Sequence, residues 1–294
     1  SKLLNIHPDT LRRWERQGKI VSFRIGTRGD RRYRSEKLLS YLHTDSAVQQ
    51  TKIATEETIN NRKMIHETLM KSHWVYFDVG YTIMSLFPSR GDVYADIAYS
   101  HGYNLDPLLI QQNFDKLERE WDHEKILTHP LTHSSHEAVA NHYSQFNAEV
   151  LILSGIPRQD FATAVDIGKS IFNAIFSNDT LWRIFTDAVT FLELLKKQGK
   201  KLAIIENWDG RLPSFIAKWK LQSYFDLILS GGVLKLRKPD PRLFQIALEK
   251  TGADPQFVVH IGDRYVDDVL GPRQVGITPV LFDYRRLYMD RECF

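Results

Sequence analysis

Four stretches carry residue types that could handle a charged substrate. "WVYFDVGYTIM" (74–84) runs from an apolar segment into Asp78, and "KLAIIENWDG" (201–210) runs into Glu206 and Asn207. "LRKPDP" (236–241) holds Lys238, and "FVVHIGDRYVDD" (257–268) leads to Asp263, Asp267 and Asp268. An acid placed directly after an apolar strand is how several phosphoryl-transfer folds present a nucleophile. Each such acid also has a blander reading, as a strand-end side chain that caps the next helix. The chemistry depends on whether the chain brings the four stretches together.

The elements that must do so are visible in the pattern. From residue 72 onward, short apolar runs ("WVYFD", "KLAII", "FDLIL", "FVVHIG", "TPVLF") alternate with amphipathic helical segments. Alternation of that kind predicts an α/β fold with a parallel sheet, whose ligands sit at the carboxyl ends of the strands. The acids and the lysine fall at those ends.

Taken together, "ENWDGRL", "KPDPRLF" and "GDRYVDDVLGPRQVGI", with the weaker "DVGYT", resemble the haloacid dehalogenase-like hydrolases. These are mostly phosphatases with an aspartyl nucleophile. The resemblance spans about residues 73–285 and implies a Rossmann-like parallel sheet with an inserted helical cap. The core would be 73–85 and 181–294, and the cap about 86–180. It implies Asp78 as nucleophile and Mg²⁺ ligand, with Asp263 as a second ligand and the backbone carbonyl of Gly80 as a third. Asp267 or Asp268 would support from behind, and Lys238 would neutralise the phosphate. A carboxylate attacks phosphorus only if a cation offsets the repulsion between two anions, and Mg²⁺ prefers such oxygen donors.

Two positions depart from the pattern. Gly80 stands where the family has a second acid for general acid–base work, a function worth about 10² to 10⁴ in rate. Glu206 stands where a Ser or Thr would hold the phosphate, and its like charge opposes that ligand. An alternative has Asn207 sliding into the hydroxyl's role. Since both groups would serve one phosphate, the expectation is a Glu206–Lys238 ion pair occupying the anion site from within. His129, His133 and His136 have helical spacing that could suit zinc, but Pro130 and "THSSHE" read as a loop before a helix cap.

The beginning of the chain differs in charge. Residues 1–44 hold 11 Lys/Arg against 4 Asp/Glu, while the remainder holds 28 against 32, within a total of +3. Such a block suggests a polyanion-binding module on a mildly acidic body. "HPDTLRRWERQGKI" reads as a turn and a short helix, and "VSFRIGTRGDRRYRS" as a β-hairpin around glycines. This stretch resembles the winged helix-turn-helix of the MerR and excisionase group. By that resemblance, Thr10, Arg12, Arg13 and Arg16 meet double-stranded DNA from the recognition helix, and Arg31, Arg32 and Tyr33 from the wing. Residues 45–72 lack the sustained heptads of a dimerising coiled coil and read as a polar linker leading into one helix.

Several classes are excluded or disfavoured. The only cysteine, Cys293, permits no internal disulfide, and the longest apolar runs are far too short for a membrane span. No signal-peptide pattern opens the sequence, which reads as cytoplasmic. The expectation is a homodimeric DNA-binding regulator with a degenerate hydrolase-like domain that senses a ligand or supplies the dimer contact. A small phosphorylated ligand is a candidate partner. The alternatives are an active Mg²⁺-dependent phosphatase attached to a DNA-binding domain, and a purely structural hydrolase fold.

Overall fold

A computed structural model describes residues 15, 22–25, 30–33, 56–128 and 136–288 of the 294. The chain divides into two units, Ser1–Ile65 and His66–Phe294. In the first, β1 (Ser22–Ile25) pairs antiparallel with β2 (Asp30–Tyr33), opposing Arg24 to Arg31 and Ser22 to Tyr33. Arg31, Arg32 and Tyr33 therefore lie on the second strand of the hairpin. Thr10, Arg12, Arg13 and Arg16 lie outside the described residues. A helix, α1 (Glu56–Lys71), occupies the latter part of the stretch expected as linker and helix.

The second unit is built on a five-stranded parallel sheet in the order β7-β6-β3-β8-β9. The strands are β3 (Trp74–Phe77), β6 (Lys201–Glu206), β7 (Leu227–Ser230), β8 (Val258–Gly262) and β9 (Thr278–Leu281). All four residues of β3 and all five of β8 are buried, as strands covered on both faces must be. Their apolar side chains supply the driving force, and Trp74, Tyr76, Leu243, Phe244 and Ala247 pack together beneath one face. Helix α6 (Ala188–Lys197) precedes β6, while α7 (Leu212–Lys218) follows it and α8 (Pro241–Thr251) follows β7. Asp240 caps α8 by accepting from Arg242 N at 2.9 Å, and Pro241 starts the helix where a missing N–H costs nothing.

The chain leaves the core through β4 (Met84–Leu86) and returns through β5 (Trp182–Ile184), which pair antiparallel. Between them lie the cap helices α2 (Arg90–Ser100), α3 (Pro107–Thr128), α4 (His136–Leu153) and α5 (Phe161–Ser177). Ser89 and Asp92 form a reciprocal capping box that fixes the start of α2, and so the position of Arg90. Inside the cap, Tyr94 donates to Asn147 Oδ1 at 2.6 Å, and Asn147 donates on to the Gly168 carbonyl at 3.0 Å. His129 and His133 lie outside the described residues, and His136 is the first residue of α4. None of the described helices is long and apolar enough to cross a membrane.

Candidate active site

Strand order places the first acid in the middle. β3 is flanked by β6 and β8, and the chain crosses from β7 back over the sheet to reach β8. Ligands bind at such a switch point, beyond the carboxyl ends of the strands. Asp78 directly follows β3, Asp263 directly follows β8, and Glu206 ends β6.

Lys238 is fully buried and donates to Asp78 Oδ1 at 2.9 Å and Asp268 Oδ1 at 2.7 Å. A cation in that position is held from both sides. Burial alone would lower its pKa, but Asp268, Asp78 and Glu206 more than offset this and drive it well above the ordinary lysine value. His260, also buried, shares Asp268 Oδ1 at 2.9 Å, and its pKa is lowered chiefly by desolvation. Burial would raise the Asp268 pKa, yet Lys238 and His260 pull it below the usual carboxylate range. The Arg264 N–H takes Asp268 Oδ2 at 3.0 Å, so both oxygens of this acid are committed.

Asp78 is in a different condition. Thr82 donates to its Oδ2 at 2.9 Å, but burial and the neighbouring Glu206 charge outweigh Lys238 and hold its pKa well above the ordinary value. Asp263 is raised to about 7, by burial against the opposing pull of Arg285. At Asp78 and Asp263, then, burial outweighs the nearby cations and disfavours the charged form.

Glu206 departs from the expected ion pair. Its Oε2 accepts from the backbone N–H groups of Val79 at 2.9 Å and Gly80 at 3.4 Å, and its Oε1 accepts from Asn207 N at 2.8 Å. The expected partner, Lys238, is instead fixed between Asp78 and Asp268. Backbone donors prevail because they converge on the end of β6 without side-chain ordering, whereas the lysine already has two acids within 3 Å. The carboxylate thus fills a small nest of N–H groups from within. Asn207 has not moved into a hydroxyl's place. Its Oδ1 accepts from Lys238 N at 2.6 Å, while its Nδ2 donates to Lys238 O at 3.3 Å and to Asp267 Oδ2 at 3.2 Å. It clamps the backbone that carries the lysine.

Of the two adjacent acids, only Asp268 lies with the others. Single oxygens of Asp78, Asp263 and Asp268 can be chosen within 4.8 Å of one another. Asp267 instead faces Asn207 and Arg264. The three-acid set is all hard oxygen, the donor type Mg²⁺ prefers. The residues fit such an ion in donor type, with Asp78, Asp263 and the Gly80 carbonyl as the holding groups.

Two further residues join the site: Thr82, the last residue of the "DVGYT" stretch, and Arg285, which lies outside every motif. Thr82 orients Asp78 from four positions along the same turn. Arg285, beyond the last strand in "FDYRRLY", donates to Asp263 Oδ2 at 2.8 Å, Glu118 Oε2 at 2.7 Å and Asp115 Oδ1 at 3.2 Å. Since Asp115 and Glu118 lie on α3, this one guanidinium ties the cap to the core. Above the acids, a cavity of about 180 Å³ opens between cap and core, lined by aromatic rings and by charged side chains in about equal number.

Residues 122–282 match the family model for haloacid dehalogenase-like hydrolases. The chain belongs to that family. Among haloacid dehalogenase-like proteins, human haloacid dehalogenase-like hydrolase domain-containing protein 3 (Homo sapiens) is 30% identical over 209 residues, 70% of this chain and 79% of that one. A phosphoserine phosphatase from Thermus thermophilus is 28% identical over 163 residues, 52% of this chain and 66% of the relative. A hydrolase from Streptococcus pneumoniae TIGR4 aligns in structure with a TM-score of 0.49 and 15% identity, over 75% of this chain and 100% of that one. At the other end, residues 1–40 match the model for MerR helix-turn-helix regulatory proteins.

Proposed function

We propose that this chain is a cytoplasmic DNA-binding regulator whose hydrolase-fold domain has passed from catalysis to ligand sensing. The observation that carries the reading is Glu206. Its carboxylate holds the N–H groups of Val79, Gly80 and Asn207, so a phosphate must expel a well-bonded anion to enter. Gly80 removes the second acid as well, leaving no group on that turn to protonate a leaving group or activate water. The positive block in residues 1–44 and the MerR-type match over residues 1–40 support duplex DNA as the partner of the other end. A single winged module covers one half-site, so the working species would be a homodimer on DNA.

A second reading rests on a separate observation, the grouping of Asp78, Asp263 and Asp268 around Lys238. It makes the domain a Mg²⁺-dependent phosphatase of small phosphorylated substrates, in keeping with the Thermus relative. A bound Mg²⁺ would offset charge between nucleophile and phosphate. Asp78 would attack, Lys238 would neutralise, and Thr82 would hold the nucleophile's second oxygen.

One experiment separates the two. The full chain and its Asp78→Asn variant are assayed on a panel of phosphate esters with Mg²⁺, and for duplex DNA binding by fluorescence anisotropy at several salt concentrations. The regulator reading expects background hydrolysis in both proteins and DNA binding that weakens steeply with salt. Hydrolysis at an ordinary enzymatic rate, abolished by Asp78→Asn, would establish the phosphatase.

A further inference from the structure

The reading above leaves open what a sensing domain would sense, and the cavity over the acids narrows it. Its volume is about 180 Å³. A buried cavity of about 150 Å³ is known to admit one benzene molecule, so this one suits a single six-membered ring with a short substituent.

The walls are unusual in composition. Phe114, Tyr143, Phe176, Trp182 and Trp208 line the space, and Trp208 lies 5.0 Å from Phe176 and 5.5 Å from Trp182, centroid to centroid. Rings at such angles and spacings offer edges and faces to another planar ring, with more attraction than an aliphatic group of equal area receives. The common alternative is that these rings simply form the core of the cap, and for Phe172 and Phe176, tilted against each other at 4.6 Å, that suffices. It does not account for a guanidinium among them.

Arg90 enters the cavity from the start of α2. Its guanidinium lies 3.9 Å from the Phe114 ring centre and 4.6 Å from that of Tyr81, and its Nε donates to Tyr81 Oη at 2.9 Å. Among the described residues it has no carboxylate within ion-pair distance. The nearby acid Glu118 is engaged by Arg285 at 2.7 Å, and Asp209 by Arg211 at 2.7 Å. Lys238 and Arg285 are likewise taken up by acids. The cavity thus presents, beside its aromatic rings, a guanidinium that bonds a tyrosine but has no acid partner among the described residues. The phosphate nest at its floor is already filled by Glu206.

We propose that this cavity is a binding site for a small aryl carboxylate, with the acid group on the Arg90 fork and the ring among the cap aromatics. The inference rests on the sensing reading. A guanidinium matches a carboxylate with two parallel hydrogen bonds. With the Arg90 Nε given to Tyr81, its terminal nitrogens would meet the ligand.

The test is calorimetric titration of this chain with benzoate and phenylacetate, and with cyclohexanecarboxylate, benzyl alcohol and p-nitrophenyl phosphate as comparisons. Tryptophan fluorescence, sensitive to Trp182 and Trp208, is followed in parallel. Expected is saturable binding of at least one aryl carboxylate at one per chain. Benzyl alcohol, lacking the charge, should bind about tenfold or more weakly, in line with a charged hydrogen bond. Cyclohexanecarboxylate, lacking the aromatic face, should bind about two- to tenfold more weakly. Arg90→Met should abolish the preference for benzoate over benzyl alcohol. If that variant does not fold, the ligand comparison on the parent decides. Benzoate binding no better than benzyl alcohol, or no saturable aryl carboxylate binding in the millimolar range, overturns the proposal. Ordinary turnover of p-nitrophenyl phosphate with Mg²⁺ would instead overturn the sensing reading itself, so the two failures are distinguishable.

Discussion

Removing Glu206 should reopen the anion site. In the parent, a phosphate that seeks the N–H groups of Val79 and Asn207 finds carboxylate oxygens at 2.9 and 2.8 Å. If the acid stayed nearby, like charges about 4 Å apart would repel by roughly 4 kcal/mol at an effective dielectric of 20. If it swung out, two hydrogen bonds to a charged group would be lost, at about 1.5–3 kcal/mol each. Either route weakens phosphate binding by about 10² to 10⁴. Glu206→Ser should therefore bind inorganic phosphate with Mg²⁺ about 10² to 10⁴ more tightly than the parent by titration calorimetry. The same change removes a charge that raises the Asp78 pKa, so the nucleophile ionises more readily. Stability should fall by only about 1–2 kcal/mol, because water can reach the half-buried nest in the serine variant. The second acid can be restored too. A Cβ at Gly80 would meet nothing nearer than the Trp182 ring at 3.9 Å, so Gly80→Asp fits without displacing backbone. The double variant should gain a further factor of about 10² to 10⁴ in Mg²⁺-dependent phosphatase rate over Glu206→Ser alone. A Glu206→Ser protein that folds normally and binds phosphate no more tightly than the parent would refute the reasoning.

Arg285→Met strands the buried Glu118 and Asp263, and should cost about 3–5 kcal/mol in urea denaturation; a loss under 1 kcal/mol would mean the cap is held by packing alone. Gly262→Ala places a Cβ 2.2 Å from the Asp268 carboxyl carbon, which Lys238 and His260 hold in place. Overpacking of about 1–3 kcal/mol or more should follow, read as a lowered melting temperature. Asp226 accepts from Leu202 N at 2.9 Å and Lys196 at 3.0 Å, and these outweigh burial to lower its pKa beneath 3.8. Its contribution is thus fully present above that value and lost as pH falls through the lowered one. Asp226→Asn should destabilise by about 0.5–1 kcal/mol at neutral pH, allowing for solvent screening, with the gap closing in acid. For the first unit, Arg12→Ala or Arg13→Ala should weaken duplex binding by about 1–3 kcal/mol if the residue reads a base, and a chain beginning near residue 73 should not bind DNA.

The strands were legible because a parallel sheet buried on both faces leaves almost no choice of residue. "WVYF" and "VVHIG" are apolar runs of strand length, apart from one histidine whose Nε2 is bonded to an acid from the next turn. The gathering of Asp78, Lys238, Asp263 and Asp268 followed from strand ends sharing one edge, which chain order makes visible. Arg285 was not legible, since it acts across 22 residues on Asp263 and across 167 on Glu118, with no motif around it. Glu206 is the instructive case. Charge alone suggested that a misplaced acid would find the nearest lysine, and charge alone was a poor guide. Lys238 lies between two carboxylates that bury it completely, and a third would have had to displace one of them. Backbone N–H groups leave no trace in a sequence, yet here three of them converge where an anion is wanted. The carboxylate therefore makes the hydrogen bonds that a bound phosphate would make, and it makes them within the chain, with no entropy of association to offset. That is how a substitution hostile to phosphate leaves the sheet edge satisfied, and why the neighbouring Gly80 need not supply an acid to keep it so.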